Sequence, residues 1–162
     1  MPCAEILQSL RDWLTAQNVP FREVHHAPTA TSEESAKARG EELRVGGKAL
    51  VMRADDSFAL FVLPADRKAD SGAIRRELQV GKLRFASREE LLELTGLVPG
   101  SVPPFGPPIL PFPLYVDSAI QENDRIAFNA GSLTDSMIVA MTDYLRVAQP
   151  ERVFTFSLLM SS

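Results

Sequence analysis

The sequence has a single cysteine, Cys3, and two histidines, His25 and His26, in 162 residues. One cysteine excludes an internal disulfide and reads as a small apolar residue near a terminus. So sparse a stock of soft ligands argues against a dedicated zinc site, and the expectation is no metal and no other cofactor. No run approaches the about 20 consecutive apolar residues that cross a bilayer, and the opening MPCAEILQSLRDWL lacks the basic start and unbroken apolar stretch of a secretory leader. A cytoplasmic location without a membrane partner follows as the expectation. Positive charge is also short: 17 basic side chains against 21 acidic ones leave a net charge of −4. That balance speaks against wrapping a long duplex, DNA included, because such binding draws on many phosphate contacts. There is no internal repeat and no G-x-S-x-G elbow. Nothing marks His25 or His26 as a base held by a carboxylate, so a serine-type triad has little support.

The composition that is present, 45% hydrophobic and 23% charged, is that of a folded globular chain, and the length suits one domain spanning residues 1–162. Ile6, Leu7, Leu10, Trp13 and Leu14 recur at helical spacing and predict an amphipathic helix over 4–17. Residues 21–25 read as a short extended segment. Thr31 and Glu34 make a T-x-x-E capping box for a second helix that Gly40 can end. The apolar runs at 48–54 and 58–65, separated by Asp55, Asp56 and Ser57, predict a hairpin. A helix over 71–78, a strand over 83–86, and a helix opened by the Ser87/Glu90 capping box and ended by Gly96 come next. Strands are expected at 114–117, 125–129 and 136–141, then a helix capped by Thr142, and a final strand over 153–159. Several strand pairs are joined by loops too short for a crossover helix. The fold class expected is therefore α/β of the α+β kind, with a mixed, mostly antiparallel sheet.

Three features carry candidate chemistry. Gly47-Lys48 fails as a phosphate loop, because Glu42 stands where the leading glycine belongs and Ala49 where Ser or Thr belongs. What remains is a lysine at the first position of a strongly apolar strand, after two glycines that let a backbone or ligand come close; it is either a surface residue or a positioned cation. Seven of the twelve prolines fall between Pro99 and Pro113. In GLVPGSVPPFG the glycines at 96, 100 and 106 permit tight turns while the prolines stiffen the backbone between them. A rigid loop with available amides, suited to a carbonyl or a sugar hydroxyl, fits better than a linker or a proline-helix ligand. Finally, Arg67, Lys68, Arg75, Arg76, Lys82, Arg84 and Arg88 gather in 22 residues against Asp70 and Glu77. This stretch either meets a few phosphates or is a solvated surface.

The lysine in GGKALVMRA, the element VLPADRK, the loop GLVPGSVPPFG, a strand reaching YVD, and FNAGS followed by an apolar strand and short helix resemble, in that order, the YbaK/ProX family. These are the editing domains associated with prolyl-tRNA synthetase. The resemblance runs from about His26 to the C-terminus. It implies a compact fold whose mixed sheet curls into a partial barrel flanked by helices, and an aminoacyl-tRNA deacylase that hydrolyses mischarged tRNA in trans. By matching positions, Lys48 is the family's lysine, in a catalytic role. Gly100, Ser101, Val102, Pro103, Pro104, Phe105 and Gly106 form the G-x-x-x-P loop and its continuation, expected with Asn129 and His26 to bind the aminoacyl-adenosine end. Arg67, Lys68, Arg75, Arg76, Lys82 and Arg84 are the candidates for tRNA contact. A synthetase or elongation factor is the expected partner for delivery. In some alanine-clearing members a histidine stands where this chain has Asn129, which implies a different pocket wall. Alanine, serine, threonine, other small residues and cysteine remain open as the acyl group. The alternative reading is a catalytically silent adaptor that binds tRNA or a synthetase through the same cleft.

Overall fold

The computed structural model describes residues 3–160, with side chains from Glu5 onward. The expectation for Cys3 therefore concerns a side chain outside the described residues. Helix α1 spans Cys3–Ala16 and buries Ile6, Leu10 and Leu14, the stripe that its spacing predicts. Strand β1 (Phe21–His25) leads into α2 (Ser32–Arg39), where the Thr31 hydroxyl accepts the Glu34 N–H at 3.1 Å and Gly40 closes the helix at φ 72°. The expected box is only half made, because the Glu34 carboxylate takes the Ala30 N–H in place of that of Thr31. A 3-10 turn over Leu43–Val45 precedes β2 (Gly47–Ala54) and β3 (Ser57–Pro64), the hairpin expected from the two apolar runs. Then come β4 (Arg67–Ala69), α3 (Ser71–Leu78), β5 (Leu83–Phe85) and α4 (Arg88–Thr95). At α4 both bonds of the Ser87/Glu90 box are present. Beyond the proline-rich loop lie β6 (Leu114–Asp117), a 3-10 turn over Ser118–Glu122, β7 (Arg125–Asn129) and β8 (Asp135–Ala140). Helix α5 (Met141–Ala148), β9 (Arg152–Phe154) and β10 (Ser157–Leu159) complete the described chain.

The largest sheet has the order β5-β2-β3-β6-β9; a second has β1-β8-β7, and β10 pairs with β4. Pairings β3/β6 and β6/β9 are parallel and the rest antiparallel, as the short connections require. A parallel bridge between Gly46 and Ala127 brings the start of β2 against β7, and the sheets remain open. Strand β3 is buried on both faces: Leu60 and Val62 enter the main core while Phe61 and Leu63 enter a second one with Ile74 and Phe156. That explains why its sequence reads as an unbroken apolar run.

Two local expectations are corrected. The strand expected over 153–159 is broken at Thr155 and Phe156. The fully buried Asp117 carboxylate accepts the Phe156 N–H at 2.7 Å and the Ser157 hydroxyl at 2.6 Å, which pulls the chain out of β9 and delivers it to β4 as β10. Thr142 does not cap α5. The helix starts one residue earlier, its flanking residue Ala140 makes no side-chain bond, and the Met141 N–H is taken by the Asp124 carbonyl at 2.9 Å.

Candidate active site

A cleft of about 270 Å³ opens where the start of β2 meets α2, the segment before it, and the loop following α4. The two glycines preceding Lys48 are there for close packing. A Cβ on Gly47 would meet Ile126 Cδ1 at 2.5 Å, and one on Gly46 would meet Ala65 Cβ at 3.1 Å. Lys48 follows on the opposite face of the strand, half-buried in the cleft wall, and its Nζ donates to the Arg67 carbonyl at 2.6 Å. Burial pushes its pKa below that of an ordinary lysine, while Asp66 and Glu33 pull the other way. Its amine is held at a fixed point by that one carbonyl.

The facing wall is the proline-rich loop, of which Pro99, Gly100 and Val102 line the cleft. Gly100 sits at φ 90°, a conformation that an L side chain strains to adopt. Its carbonyl accepts the Asn129 Nδ2–H at 2.6 Å, and the Ser101 carbonyl accepts the Gly131 N–H at 2.9 Å. The loop is thereby laid against the 129–131 turn. The amides of Gly100 and Val102, two residues of the cleft wall, donate to no group among the described residues.

Behind Asn129 lies a network that the sequence did not reveal. Arg39, 7% exposed at the last position of α2, donates through Nε to Ser136 Oγ and through Nη2 to Asn129 Oδ1, both at 2.9 Å. Ser136 Oγ also lies 2.9 Å from His26 Nε2 and 3.2 Å from Asn129 Oδ1. His26 Nδ1 faces the Ala27 carbonyl at 2.9 Å, which can only accept. Nδ1 is therefore the donor of that contact, while the Ser136 hydroxyl donates to Asn129 Oδ1. Burial depresses the Arg39 pKa to about 10, partly offset by Glu41. On the α2 side, the buried hydroxyls of Thr29 and Ser35 bond each other at 2.7 Å in the cleft wall. The only sequence signal for Arg39 was a basic residue in the last turn of a polar helix, which reads equally as a partner for the helix dipole.

Of the residues expected in the site, Lys48, Gly100, Val102 and Asn129 line one cleft. His26 lies two hydrogen bonds behind it, through Ser136 to Arg39 and Asn129. Ser101, Pro103, Pro104, Phe105 and Gly106 are buried outside the cleft wall. Ser101 Oγ closes the loop on the Val98 carbonyl at 2.8 Å, and the Pro104 carbonyl accepts the Tyr144 hydroxyl at 2.7 Å. Phe105 packs edge-on against Trp13, Phe128 and Tyr144, and a Cβ on Gly106 would meet the Phe112 carbonyl at 2.7 Å. Ser101, Pro104, Phe105 and Gly106 thereby tie the loop to what lies beneath it. In the basic stretch, the Arg67 guanidinium is taken by Ser157, and Arg84 pairs with Glu90 at 2.7 Å. Lys68, Arg75, Arg76 and Lys82 are exposed, with no side-chain partner among the described residues. No cluster of three His, Cys, Asp or Glu able to hold a metal occurs among the described residues, and no described helix is long and apolar enough to cross a membrane.

Residues 26–147 match the model of the aminoacyl-tRNA editing domain. The Multifunctional Ser/Thr-tRNA deacylase ProXp-y of Escherichia coli K12 is 38% identical over 152 residues, 90% of this chain and 90% of that protein. The proline–tRNA ligase of Shouchella clausii is 36% identical over 100 residues, which make up 62% of this chain but 17% of the ligase. A solved structure described as a proposed trans-editing enzyme for prolyl tRNA synthetase superposes with a TM-score of 0.81 at 26% identity, covering 94% of this chain and 97% of that one. The fold is shared as well with the hypothetical protein APE2540, at a TM-score of 0.82 and 22% identity over 92% of this chain and 99% of that one. With the family model matching residues 26–147 and the deacylase relative matched over 90% of both lengths, the chain belongs to the aminoacyl-tRNA editing domain family, whose activity is deacylation of mischarged tRNA.

Proposed function

We propose that the chain hydrolyses, in trans, the ester joining a small amino acid to the terminal adenosine of a mischarged tRNA, with Lys48 and the Gly100–Pro104 loop as its working parts. The observation that carries this reading is one cleft lined by Lys48 and by Gly100 and Val102, whose amides donate to no other group among the described residues. Ester hydrolysis needs negative charge on the acyl oxygen stabilised and the terminal ribose held still, and a fixed cation with oriented N–H donors supplies both. Lys48 orients the terminal nucleotide and offsets the developing charge, while the loop amides hold the aminoacyl end. Water adds to the ester carbon and the bond from that carbon to the ribose oxygen breaks. The proton from water reaches the departing oxygen through the neighbouring ribose hydroxyl, releasing the free amino acid and an uncharged tRNA. This assistance by the substrate accounts for a cleft in which no side chain is placed as a general base.

Serine and threonine are the leading acyl groups. The Escherichia coli relative is named for them, and the Thr29–Ser35 hydroxyl wall suits a small polar side chain. Exposed Lys68, Arg75, Arg76 and Lys82 are the remaining candidates for the acceptor stem, and the net charge of −4 favours delivery by a synthetase or elongation factor. Purified protein incubated with proline, alanine, serine, threonine and cysteine tRNAs carrying cognate and mismatched amino acids tests the reading. Release of free amino acid, fastest for seryl and threonyl esters, is expected; binding without release decides for the silent adaptor.

A further inference from the structure

Arg39 is a buried guanidinium whose fixed hydrogen bonds go to neutral oxygens. Nε and Nη2 are spent on Ser136 and Asn129, and Nη1 has no hydrogen-bond partner among the described residues. The carboxylate nearest in charge, Glu41, is itself taken by Arg22 at 3.2 Å and Arg125 at 2.8 Å. A largely buried charge whose one free nitrogen reaches the solvent, with only the shared Glu41 as a nearby carboxylate, suits an anionic partner from outside the chain. Arg39 lines the cleft, and its Nη1 lies beside Gly46, 3.5 Å from where a Cβ on that residue would stand.

We infer that Arg39 is a substrate-contacting residue whose Nη1 donates to an anionic oxygen of the bound aminoacyl-nucleotide end, making the cleft a two-cation site with Lys48; this rests on the deacylase reading above. Two oxygens of the substrate have the required chemistry. One is the phosphodiester joining the last two nucleotides, charged throughout. The other is the ester carbonyl oxygen, charged only as water adds. A planar guanidinium already fixed through two of its nitrogens presents the third at a set angle, which a flexible lysine at the same place would not.

The test compares wild type, R39Q and R39K on two minimal esters of the amino acid released in the panel, one on adenosine and one on the dinucleotide CpA. Affinity for uncharged CpA and the melting temperature are measured alongside. R39Q is expected to lose at least tenfold in kcat/KM on the CpA ester, with R39K between it and wild type. Loss confined to the CpA ester, expressed in KM and matched by weaker CpA binding, assigns Nη1 to the phosphodiester. Equal loss on both esters, expressed in kcat at an unchanged melting temperature, assigns it to the carbonyl oxygen. R39Q within twofold of wild type on both esters overturns the inference, as does an equal loss in R39Q and R39K that follows a fallen melting temperature. Should R39Q fail to fold, R39K is judged by the same limits. A wild type that hydrolyses neither ester, yet binds CpA in a manner R39K weakens, sinks the deacylase reading and leaves the anion contact standing.

Discussion

Lys48 is half withdrawn from water and held by one carbonyl, so its charge is costlier to keep than that of a free lysine. For a base the sign is fixed: a lowered pKa means that the cation is lost earlier as pH rises. If the cation stabilises the transition state, the enzyme-catalysed rate, corrected for spontaneous ester hydrolysis, falls on the alkaline side with a midpoint below about 10.4, the value for a free lysine side chain. A rate that holds through that midpoint would separate the chemistry from the amine. Asn129 makes a second residue-scale prediction. Its amide joins Gly100 to Arg39 with both of its ends, so it positions the loop and has little left to offer a ligand. N129A is expected to lower kcat/KM by about 10- to 100-fold through loop misplacement, beyond what its fall in melting temperature from the lost Arg39 acceptor accounts for. Steady-state kinetics beside a thermal melt separates this from global destabilisation.

At the scale of elements, the proline-rich loop is rigid because of what lies beneath it. The Phe105 ring fills a site among Trp13, Phe128 and Tyr144, and the Tyr144 hydroxyl holds the Pro104 carbonyl, which would otherwise be a buried acceptor without a partner. Y144F removes that one bond and keeps the ring. It is expected to cost about 1–3 kcal/mol in denaturant unfolding. The loop illustrates how far sequence alone could be read. Its glycines and prolines announced a shaped backbone, and Gly100 does carry the positive φ that such a shape needs. Composition could not say which loop residues face outward: Gly100 and Val102 line the cleft, while Ser101, Pro103, Pro104, Phe105 and Gly106 are buried outside its wall. The break between β9 and β10 was hidden for a related reason: it depends on Asp117, 39 residues upstream, reaching the Phe156 amide. Local patterning carries no record of such a partner.

For the whole molecule, the hairpin, the capped helices and the mixed sheet were legible because each rests on short-range periodicity or on a cap within four residues. The Arg39–Ser136–Asn129–His26 network was not, since it joins side chains up to 110 residues apart. The same scale governs tRNA capture. With a net charge of −4 and only part of the basic stretch free of internal partners, attraction for the tRNA body rests on a few exposed cations. Doubling the salt is expected to raise KM for full-length mischarged tRNA while leaving hydrolysis of an aminoacyl-adenosine ester nearly unchanged. Equal sensitivity of both substrates would put the salt-dependent contact inside the cleft.

The most direct test of the central claim is single-turnover release of amino acid from mischarged seryl- and threonyl-tRNA by wild type and by K48A, with folding of the variant verified by its melting curve. The account predicts rapid release by wild type and a loss of about 100-fold or more in K48A, the scale set by removal of one transition-state donor. A folded K48A that deacylates at the wild-type rate would contradict it.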